Sequence, residues 1–344
     1  MKSKKEVTIY DLAQDLNVSP STVSRALKDH FSIGKEMIEL VKKQAKQRGY
    51  RPNSIAASLR RNKTNTIGII TSWINRPFMS SLISGVEEEA AKAGYNVIIS
   101  QSHDSYESEM ANAKALYDSR IGGVIASLAM ETTNFDHFKQ FTDNDIPIVF
   151  VDRVSEEFRA DKVIIDNFLA GFTATKHLIE QGCKRIAHFA GAQHRNVYRE
   201  RQRGYLEALK HYNIAIDESL IIKGDILNSE EGMKMANYAL DLIKQPDGIF
   251  SSNDTSAVSA ILCAKRRGIK IPKDLAIIGF NNDPISQIVE PQLSTIDHPA
   301  IDMGRIAARQ VLKHKEHQDI VSSETITLKT ELIVRESSLR KKKP

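Results

Sequence analysis

Apolar side chains in the first fifty residues recur at the spacing of short amphipathic helices. The first set falls at positions i, i+3, i+4 and i+7 and comprises Ile9, Leu12, Ala13 and Leu16. Thr8 and Asp11 have the spacing of a capping box, with Asp in place of the usual Glu or Gln. The pattern therefore predicts a helix that begins directly after Thr8.

A second helix is predicted after the turn Asn17-Val18. Ser19 is a favourable N-cap, and Pro20 suits the first helical position because its missing N–H is not needed there. The face that packs on the first helix consists of Val23, Ala26 and Leu27. The opposite face consists of Pro20, Ser21, Ser24, Arg25 and Lys28. Two short helices joined by a tight turn predict a helix-turn-helix, whose second helix lies in the major groove of DNA.

The polar outer face of this second helix is typical of a groove-binding helix. Small side chains let the helix approach the bases, and the planar fork of Arg25 can bind guanine O6 and N7 together. The alternative is a helical hairpin whose polar face is only solvated. A third helix is predicted between the N-cap Gly34 and Gly49, which is a C-terminal stop signal. Its predicted inward face consists of Met37, Leu40, Val41 and Ala45.

The stretch "YRPNSIAASLRR" predicts a further short helix. Pro52 disfavours helix at Arg51, and Asn53 can cap a helix over residues 54–61. About two turns are too short to be stable alone, so this helix needs DNA or a second copy of the chain. Leu59, followed by two arginines, matches the apolar wedge that kinks the minor groove. The alternative is a basic linker in which the leucine is incidental.

Beyond residue 65, short apolar runs alternate with amphipathic stretches. The runs are "TIGIIT", "NVIISQS", "GGVIASL", "IPIVFVD", "KVIID", "RIAHFAG", "GIFSSND" and "LAIIGFNN". The amphipathic stretches are 80–93, 107–119, 168–182, 199–213 and 229–244. Short, fully apolar runs that are each followed by a helix predict parallel sheets covered on both faces. The predicted fold class is therefore doubly wound α/β, and the length fits two such sheets.

Polar residues stand at the end of each apolar run, where ligands bind in doubly wound sheets. They are Ser72, Trp73, Gln101, Ser102, Asp152, Arg153, Asp166, Asn253, Asp254, Asn281 and Asn282. Phe78 begins the helix after the first run. Asp and Asn can hydrogen-bond to sugar hydroxyls, and an aromatic ring can stack on a sugar face. Each residue taken alone is more often a helix cap, but together they predict a ligand site.

Charge and composition separate the two parts of the chain. Residues 1–63 contain 14 Lys and Arg and six Asp and Glu, so their net charge is +8. Because the net charge of the whole chain is +5, the remaining residues carry −3. A small basic segment beside a mildly acidic larger one favours a polyanion-binding module. The two cysteines, the lack of a long apolar run and the lack of a secretory signal predict a cytoplasmic protein without disulfides.

Catalytic motifs are not found in the sequence. It contains no phosphate-binding loop of the form G-x-x-x-x-G-K-[ST], no G-x-S-x-G and no H-E-x-x-H. His188 and His194 have no metal partner at useful spacing. The chain is therefore predicted not to be an enzyme and to need neither a cofactor nor a metal.

Two motifs, "VTIYDLAQDLNVSPSTVSRAL" and "GYRPNSIAASLRR", and the order of motifs along nearly the whole chain resemble the lac repressor family of transcription regulators. The resemblance implies that Pro20, Ser21 and Arg25 occupy recognition-helix positions. It also implies that Leu59 is the lever of a hinge helix that pairs with its copy in the minor groove. The implied DNA-binding residues are Thr8, Ser19, Pro20, Ser21, Thr22, Ser24, Arg25, Asn53, Ala56, Leu59 and Arg60.

The same resemblance implies a two-lobed core like that of a periplasmic sugar-binding protein, with crossovers near 162–168, 294–299 and 325. The implied effector-binding residues are Ser72, Trp73, Phe78, Asp152, Arg201, Asn253, Asn281 and His298. Arg201 matches the arginine that grips the effector, three residues before a glycine. Asn281 stands where many sugar-responsive members carry an acidic residue, which weakens a simple copy of their hydroxyl-binding arrangement.

The sequence thus predicts a DNA-binding headpiece over 1–52, a hinge helix and linker over 53–64, and an effector-binding and dimerisation core over 65–344. The predicted function is that of a transcriptional regulator, most simply a repressor, which binds a near-palindromic operator as a homodimer and responds to a sugar or sugar derivative. Association with a membrane is not expected. The alternative is a cytoplasmic small-molecule-binding protein whose headpiece binds another protein.

Overall fold

The computed structural model describes residues 7–50, 64–316 and 323–340. The chain divides into two compact units, Met1–Thr64 and Asn65–Pro344. We refer to residues 7–50 as the headpiece and to the described residues from Asn65 onwards as the core. The predicted hinge residues Asn53, Ala56, Leu59 and Arg60 lie outside the described residues.

The headpiece consists of three helices, which are α1 Ile9–Asp15, α2 Pro20–Ala26 and α3 Lys35–Arg48. Their buried interior is formed by Leu12, Ala13, Val23, Ala26, Val41 and Ala45. Both reciprocal bonds of the predicted capping box between Thr8 and Asp11 are present, and Ser19 caps α2 with Pro20 in the first turn. Gly34 and Gly49 bound α3 as predicted, and Gly49 adopts the left-handed conformation.

One headpiece prediction is wrong. Leu40 was expected to face the interior, but 48% of its surface is exposed. The inward face of α3 is centred on Val41 and Ala45, and Ile38 packs beside it together with Met37. Leu40 lies about 100° from Val41 around the helix, because successive residues rotate by that angle, and therefore points away from α1 and α2.

The core contains twelve strands and nine α-helices in its described residues. The strands are β1 Thr66–Thr71, β2 Asn96–Gln101, β3 Gly123–Ala126, β4 Ile148–Val151, β5 Asp161–Ile165, β6 Ile186–Ala190, β7 Ile221–Lys223, β8 Gly248–Ser251, β9 Ala276–Asn281, β10 Ser294–Asp297, β11 Thr325–Leu328 and β12 Glu331–Ile333. The helices are α4 Pro77–Lys92, α5 Tyr106–Asp118, α6 Asp136–Thr142, α7 Asn167–Glu180, α8 Asn196–His211, α9 Ser229–Asp241, α10 Asp254–Arg266, α11 Ile285–Ile288 and α12 Ala300–Glu316.

These elements form two six-stranded sheets, each with helices against it. The first sheet has the order β11-β5-β4-β3-β1-β2 and belongs to lobe 1; the second has the order β12-β10-β9-β8-β6-β7 and belongs to lobe 2. All pairs are parallel except that between β10 and β12. The chain passes between the lobes after β5, after β10 and after β11. The doubly wound α/β fold and the crossovers implied by the resemblance are thus confirmed.

Each of the eight predicted runs contains a strand, but one of the strands is not covered on both faces. β2 lies at the edge of the lobe 1 sheet, where Ile98 and Ile99 are 42% and 45% exposed. The apolar side chains of β2 are therefore not buried by the rest of this chain, although the sequence pattern predicts that they are. The sequence analysis also did not single out the helices α6, α10, α11 and α12 or the strands β7, β10, β11 and β12. Among the described residues, no helix is long and apolar enough to span a bilayer.

Two glycines set the distance between α7 and α8, which carry part of the cleft described below. A Cβ atom on Gly204 would collide with the carbonyl oxygen of Phe168, and one on Gly171 would collide with the carbonyl oxygen of Arg201. The two helices can therefore pack backbone against backbone. This close approach places the side chain of Arg201, on α8, next to the first residue of α7.

We predict that Gly204→Ala lowers the free energy of unfolding by about 1–3 kcal/mol, because the added methyl group forces two packed helices apart. Urea denaturation of the full chain measures this change. The control is Glu207→Ala, an exposed position on the same helix, which should change stability by less than about 0.5 kcal/mol. Equal effects of the two substitutions would show that the close helix contact is not required.

Candidate functional site

The outward face of α2 carries the predicted DNA-binding residues of the headpiece. Ser19 Oγ accepts a hydrogen bond from Thr22 N at 3.1 Å. It also lies 2.7 Å from Ser21 Oγ and 2.8 Å from Thr22 Oγ1. These bonds hold the first turn of the helix, where Pro20 occupies the first position. The small polar side chains thus form one hydroxyl cluster at the N-terminal end of α2.

Arg25 lies one turn further along α2 and is exposed, while Ser24 beside it is half-buried. The ion pairs found among residues 7–50 join other side chains, so they leave the Arg25 guanidinium available. A planar guanidinium on an exposed helix face can form two parallel hydrogen bonds with guanine. Thr8 lies at the start of α1, where its hydroxyl bonds to Asp11 Oδ2 at 2.7 Å.

All eight predicted effector-binding residues line a single cleft in the core. The cleft lies between the two lobes at the carboxyl ends of their strands. Its walls contain Ser72, Trp73, Phe78, Asp152, Arg201, Asn253, Asn281 and His298. Lobe 1 contributes residues that follow β1 and β4, and lobe 2 contributes residues from α8 and the ends of β8 and β9. The position agrees with the general rule for ligand sites in doubly wound sheets.

Arg201 is the most deeply anchored charged group of the cleft. Its side chain donates from Nε to Asn167 Oδ1 and from Nη1 to the carbonyl oxygen of Ser252, both at 2.8 Å. Its Cζ atom lies 3.6 Å from the centre of the Phe280 ring, which favours a cation by its quadrupole. Burial lowers the pKa of Arg201 to about 10, and the charge of Asp152 opposes that shift. The guanidinium is therefore positively charged at neutral pH.

Asp152 faces this cation from lobe 1. It follows β4 directly and adopts a left-handed backbone conformation with φ of 59°. Such conformations are uncommon outside glycine and concentrate at functional sites. Burial raises the pKa of Asp152, while Arg201 and Arg153 act in the opposite direction. The carboxyl group of Asp152 thus lines the cleft opposite Arg201 from a constrained backbone position.

His298 closes the cleft at the crossover between β10 and α12. Its ring stacks on Phe78 at 4.1 Å, and Nδ1 lies 3.4 Å from Asn281 Oδ1. Burial lowers the pKa of His298 well below its usual value, and the charge of Arg201 adds to this effect. The ring is therefore neutral, and its Nε2 atom, 4.0 Å from Asp152 Oδ1, is buried without a hydrogen-bond partner among the described residues. A buried polar atom of this kind is expected to bond to a ligand or water.

The asparagines of the cleft also have structural bonds. Asn253 caps α10 by accepting from Ser256 N at 2.9 Å, and its amide donates to the carbonyl oxygen of Leu227 at 2.7 Å. Asn281 ends β9 with φ of 109°, which is a strained backbone position, and it lines the cleft. An amide has further donor and acceptor capacity beyond these bonds, which leaves both residues able to contact a ligand.

Several other polar residues at the strand ends hold the structure instead of lining the cleft. Asp166 caps α7. Asn282 bonds to Asp297 and to Arg335, both at 2.8 Å. Asp254 accepts from Thr295 Oγ1 at 2.7 Å and is fully buried. Gln101 accepts from Ile74 N at 2.9 Å. Of these four residues, only Asp166 is the helix cap expected of an individual strand-end residue, whereas the other three make structural hydrogen bonds of other kinds.

Asp104 is a cleft residue that the sequence analysis did not find. It accepts from Trp73 Nε1 at 3.2 Å through one carboxylate oxygen and from Arg153 Nη1 at 2.5 Å through the other. Both His103 and Asp104 have left-handed backbone conformations. This turn follows β2 by three residues, and no apolar pattern marks it. The carboxylate fixes the indole ring of Trp73 at the cleft.

Further lining residues were also missed, and they include Arg76, Tyr198, Ser252 and Asp283. Tyr198 stands three residues before Arg201 on α8, so helical spacing could have found it. Ser252 directly precedes Asn253, and its Oγ atom is buried without a partner among the described residues. No sequence signal identifies Arg76 as part of the cleft.

Asp283 follows Asn281 by two residues and is buried. Burial raises the pKa of Asp283 to about 6, although a hydrogen bond with Asn281 and the charge of Arg76 favour the ionised form. Position 281 is Asn in this chain, but the cleft still contains an acidic residue close by, which is Asp283. Among the described residues, no group of three or more His, Cys, Asp or Glu has the arrangement of a metal site.

Comparison with known proteins identifies the family. The model described as "Bacterial regulatory proteins, lacI family" matches residues 8–53, and that of a periplasmic binding protein-like domain matches residues 175–338. Two relatives that match almost over their whole length are each 34% identical to this chain. The chain therefore belongs to the lacI family of bacterial regulatory proteins and is a DNA-binding transcriptional regulator.

The relatives cover nearly the whole chain. The NTD biosynthesis operon regulator NtdR of Bacillus subtilis (strain 168) is 34% identical over 333 residues, 96% of this chain and 99% of that protein. The HTH-type transcriptional repressor CytR of Escherichia coli (strain K12) is 34% identical over 98% of this chain and 99% of that protein. Among solved structures, a complex of the transcriptional regulator CelR with cellobiose is 27% identical, has a TM-score of 0.73, and covers 96% of this chain and 100% of its own.

The lac repressor dimer bound to operator and the anti-inducer ONPF is similar in fold. It is 22% identical, has a TM-score of 0.86, and covers 98% of this chain and 100% of its own. At this identity the likeness concerns the fold alone. Together with the relatives it agrees with a helix-turn-helix headpiece followed by a two-lobed core.

We predict that Asp283→Asn flattens the dependence of stability on pH. Because the folded chain binds the Asp283 proton more tightly than the unfolded chain, the contribution of this carboxyl to stability is fully present below about pH 4 and is lost as pH rises through about 6. Between pH 4 and pH 7, the variant should avoid a loss of about 2–3 kcal/mol in the free energy of unfolding.

Urea denaturation at pH 4, 5, 6 and 7 measures this difference. Glu207→Gln, at an exposed position of α8, serves as the control and should retain the wild-type dependence. If Asp283→Asn and the wild type showed the same change in unfolding free energy with pH, the pKa of this carboxyl would not be raised in the folded chain.

Proposed function

We propose that this regulator represses transcription as a homodimer on a near-palindromic operator, and that a small molecule bound in the interlobe cleft controls its operator affinity. The observation that carries the proposal is the convergence of eight residues, chosen from the sequence, on one cleft. The cleft combines a buried cation, Arg201, with carboxylates from both lobes. It also contains two buried polar atoms, Ser252 Oγ and His298 Nε2, that no described residue satisfies.

A sugar or sugar derivative is the effector class we favour. Asp104, Asp152 and Asp283 supply hydroxyl acceptors, Arg201 supplies donors, and Trp73 presents an aromatic ring. The relatives point the same way, since one is a "Ribose operon repressor" and one solved relative is a cellobiose complex. A nucleoside is the second candidate, because it also presents a sugar together with a ring that can stack on Trp73.

The dimer is supported by an apolar surface on lobe 1. Ile98 and Ile99 of the edge strand β2 and Met110 of the neighbouring α5 are each more than two-fifths exposed. An edge strand with large apolar side chains is a surface that proteins normally cover. A second copy of the chain satisfies this requirement by symmetry, and two headpieces then read two half-sites.

The remaining sequence predictions belong to the same proposal. They include the domain boundaries at 52 and 64, a cytoplasmic location, and the absence of catalytic activity. The contacts of the hinge residues with the minor groove also belong here, because those residues lie outside the described part of the chain. The alternative of a headpiece that binds a protein instead of DNA is disfavoured by the family match over residues 8–53.

We predict that Arg25→Ala weakens binding to the cognate half-site by about 1–3 kcal/mol and relaxes base choice at one position, since the fork to guanine is lost. The operator is first obtained by selection from randomised duplexes, which should yield sequences with near twofold symmetry. Fluorescence anisotropy then compares the wild type and the variant on selected and scrambled duplexes. An equal loss of affinity on both would contradict base readout by Arg25.

We predict that the effector changes the emission of Trp73, the single tryptophan of the chain, because its indole lines the cleft beside Asp104. Titration with D-ribose, cellobiose and adenosine provides the first panel of probes. For a probe that binds, Arg201→Ala should weaken affinity by roughly tenfold or more, because hydrogen bonds to a charged group are lost.

Arg199→Ala is the matched control for this titration. Arg199 is exposed on the same helix and pairs with Glu200 at 3.3 Å, so its removal should leave affinity unchanged. Thermal melts of both variants check that each is folded. A probe that binds tightly while neither Trp73 emission nor the Arg201 variant responds would place the effector outside this cleft.

A further inference from the structure

Arg195 and its two sequence neighbours bond directly from lobe 2 to lobe 1 outside the effector cleft. Arg195, which precedes α8 in lobe 2, is 5% exposed. Its guanidinium donates from Nε and Nη2 to the carbonyl oxygen of Met130 in lobe 1, at 3.2 and 2.8 Å. Nη2 also donates to the carbonyl oxygen of Thr132. His194 Nε2 lies 2.6 Å from the same Met130 oxygen. A cation is thus buried against main-chain oxygens of the opposite lobe.

A third residue in succession, Asn196, adds two bonds across the same boundary. Its Nδ2 donates to the carbonyl oxygen of Asp152 at 3.2 Å, and its Oδ1 accepts from Val154 N at 3.2 Å. The segment from His194 to Asn196 therefore grips lobe 1 at two places. Burial and the like charge of Arg153 lower the pKa of Arg195, while the charges of Glu109 and Asp104 act in the opposite direction.

The lobe 1 loop over residues 129–132, whose carbonyl oxygens accept from Arg195, is also bonded to the buried carboxylate of Glu109. Glu109 is fully buried on α5, and its carboxylate accepts from Ala129 N at 2.6 Å and from Thr132 Oγ1 at 2.7 Å. His137 Nε2 lies 3.1 Å from the same carboxylate. The carbonyl oxygens of residues 130 and 132 are thereby kept in place for the guanidinium, which reduces the entropy lost on closing the lobes.

The same loop is bonded to a residue that lines the cleft. Asp104 Oδ1 accepts from Met130 N at 3.2 Å, and the main-chain oxygen of Asp104 accepts from Glu131 N, also at 3.2 Å. Asp104 in turn holds Trp73 and Arg153, which face the cleft. A change in the cleft that moves Asp104 therefore acts directly on the loop whose carbonyl oxygens receive Arg195.

We propose that His194, Arg195 and Asn196 form an interlobe latch, in which Arg195 is the residue that holds lobe 2 against lobe 1, and that Asp104 transmits occupancy of the cleft to this latch. The latch acts by stabilising the arrangement in which the lobes are closed. The inference extends the proposed control by an effector and rests on it only through Asp104. Lobe closure is measured without DNA or effector, so failure of the latch and failure of the proposed effector site are separate results.

The test measures the distance between the lobes in the full-length chain by double electron–electron resonance. Spin labels are attached at Lys139→Cys on lobe 1 and Lys234→Cys on lobe 2, which are both exposed, while the native Cys183 and Cys263 are buried. Labelled chains are mixed with an excess of unlabelled chains, so that distances between two copies do not contribute. The variants compared are Arg195→Ala, Arg195→Lys and Asp104→Asn, with Arg199→Ala as the control.

The wild type and Arg199→Ala should give one narrow distance. Arg195→Ala should lower the ratio of closed to open lobes by roughly tenfold or more, because several charge-assisted hydrogen bonds are lost. Arg195→Lys retains the charge but not the planar fork, so it should fall between these two. Asp104→Asn should shift the distribution in the same direction as Arg195→Ala.

An Arg195→Ala distribution equal to that of Arg199→Ala would overturn the latch, even if the variant melted at a lower temperature, because a purely structural role changes stability and not lobe distance. If Arg195→Ala failed to fold, the Arg195→Lys distribution would decide by the same criterion. A wild-type distribution for Asp104→Asn would overturn the connection from the cleft to the latch.

Discussion

The arrangement of the core depends on a positive charge that is held almost out of water. The Arg201 guanidinium is bonded to Asn167, the first residue of α7 after the chain enters lobe 2, and to the end of β8, and it lies over Phe280 of β9. Burying a charge without partners is costly, so these elements must meet at this point. The glycine contact between α7 and α8 makes the meeting possible. The carboxyl group of Asp152 in the other lobe then adds an opposite charge that favours the charged form of Arg201.

The sequence predicted the fold and much of the cleft because both follow from strong local patterns. Buried strands of parallel sheets are continuous apolar runs, and their carboxyl ends are marked by Asp152, Asn253 and Asn281. Leu40 was wrongly placed, since the pattern of α3 allows two adjacent inward faces and only the packed partner decides between them. The apolar run of β2 was interpreted as buried, because composition does not distinguish a covered strand from an edge with exposed Ile98. Asp104 and Arg195 could not be found, since each depends on a turn whose backbone geometry no spacing rule encodes. The Arg201 and His298 assignments came from the family resemblance and not from spacing.

The polar residues of the core are of two kinds, those that stabilise the scaffold and those that can bind a ligand. Residues such as Asp166, Asp254 and Asn282 satisfy backbone and side-chain groups within one lobe, so they stabilise the scaffold whether or not a ligand is present. His298 Nε2 and Ser252 Oγ are buried and have no hydrogen-bond partner in the described part of the chain. A ligand that bonds to them removes the free-energy cost of leaving them unpaired. The cleft is therefore organised before binding and still gains from it.

The three passages of the chain between the lobes have a consequence for biosynthesis. Lobe 1 receives its last strand, β11, only after all of α7 to α12 have been made, and lobe 2 receives β12 directly afterwards. Neither sheet has its full set of strands while the ribosome is still translating the codons before residue 325. Until then β5 and β10 each present an unpaired edge. A nascent or prematurely terminated chain therefore exposes two aggregation-prone sheet edges at once, and chaperones and proteases would act on a chain in which both lobes are incomplete.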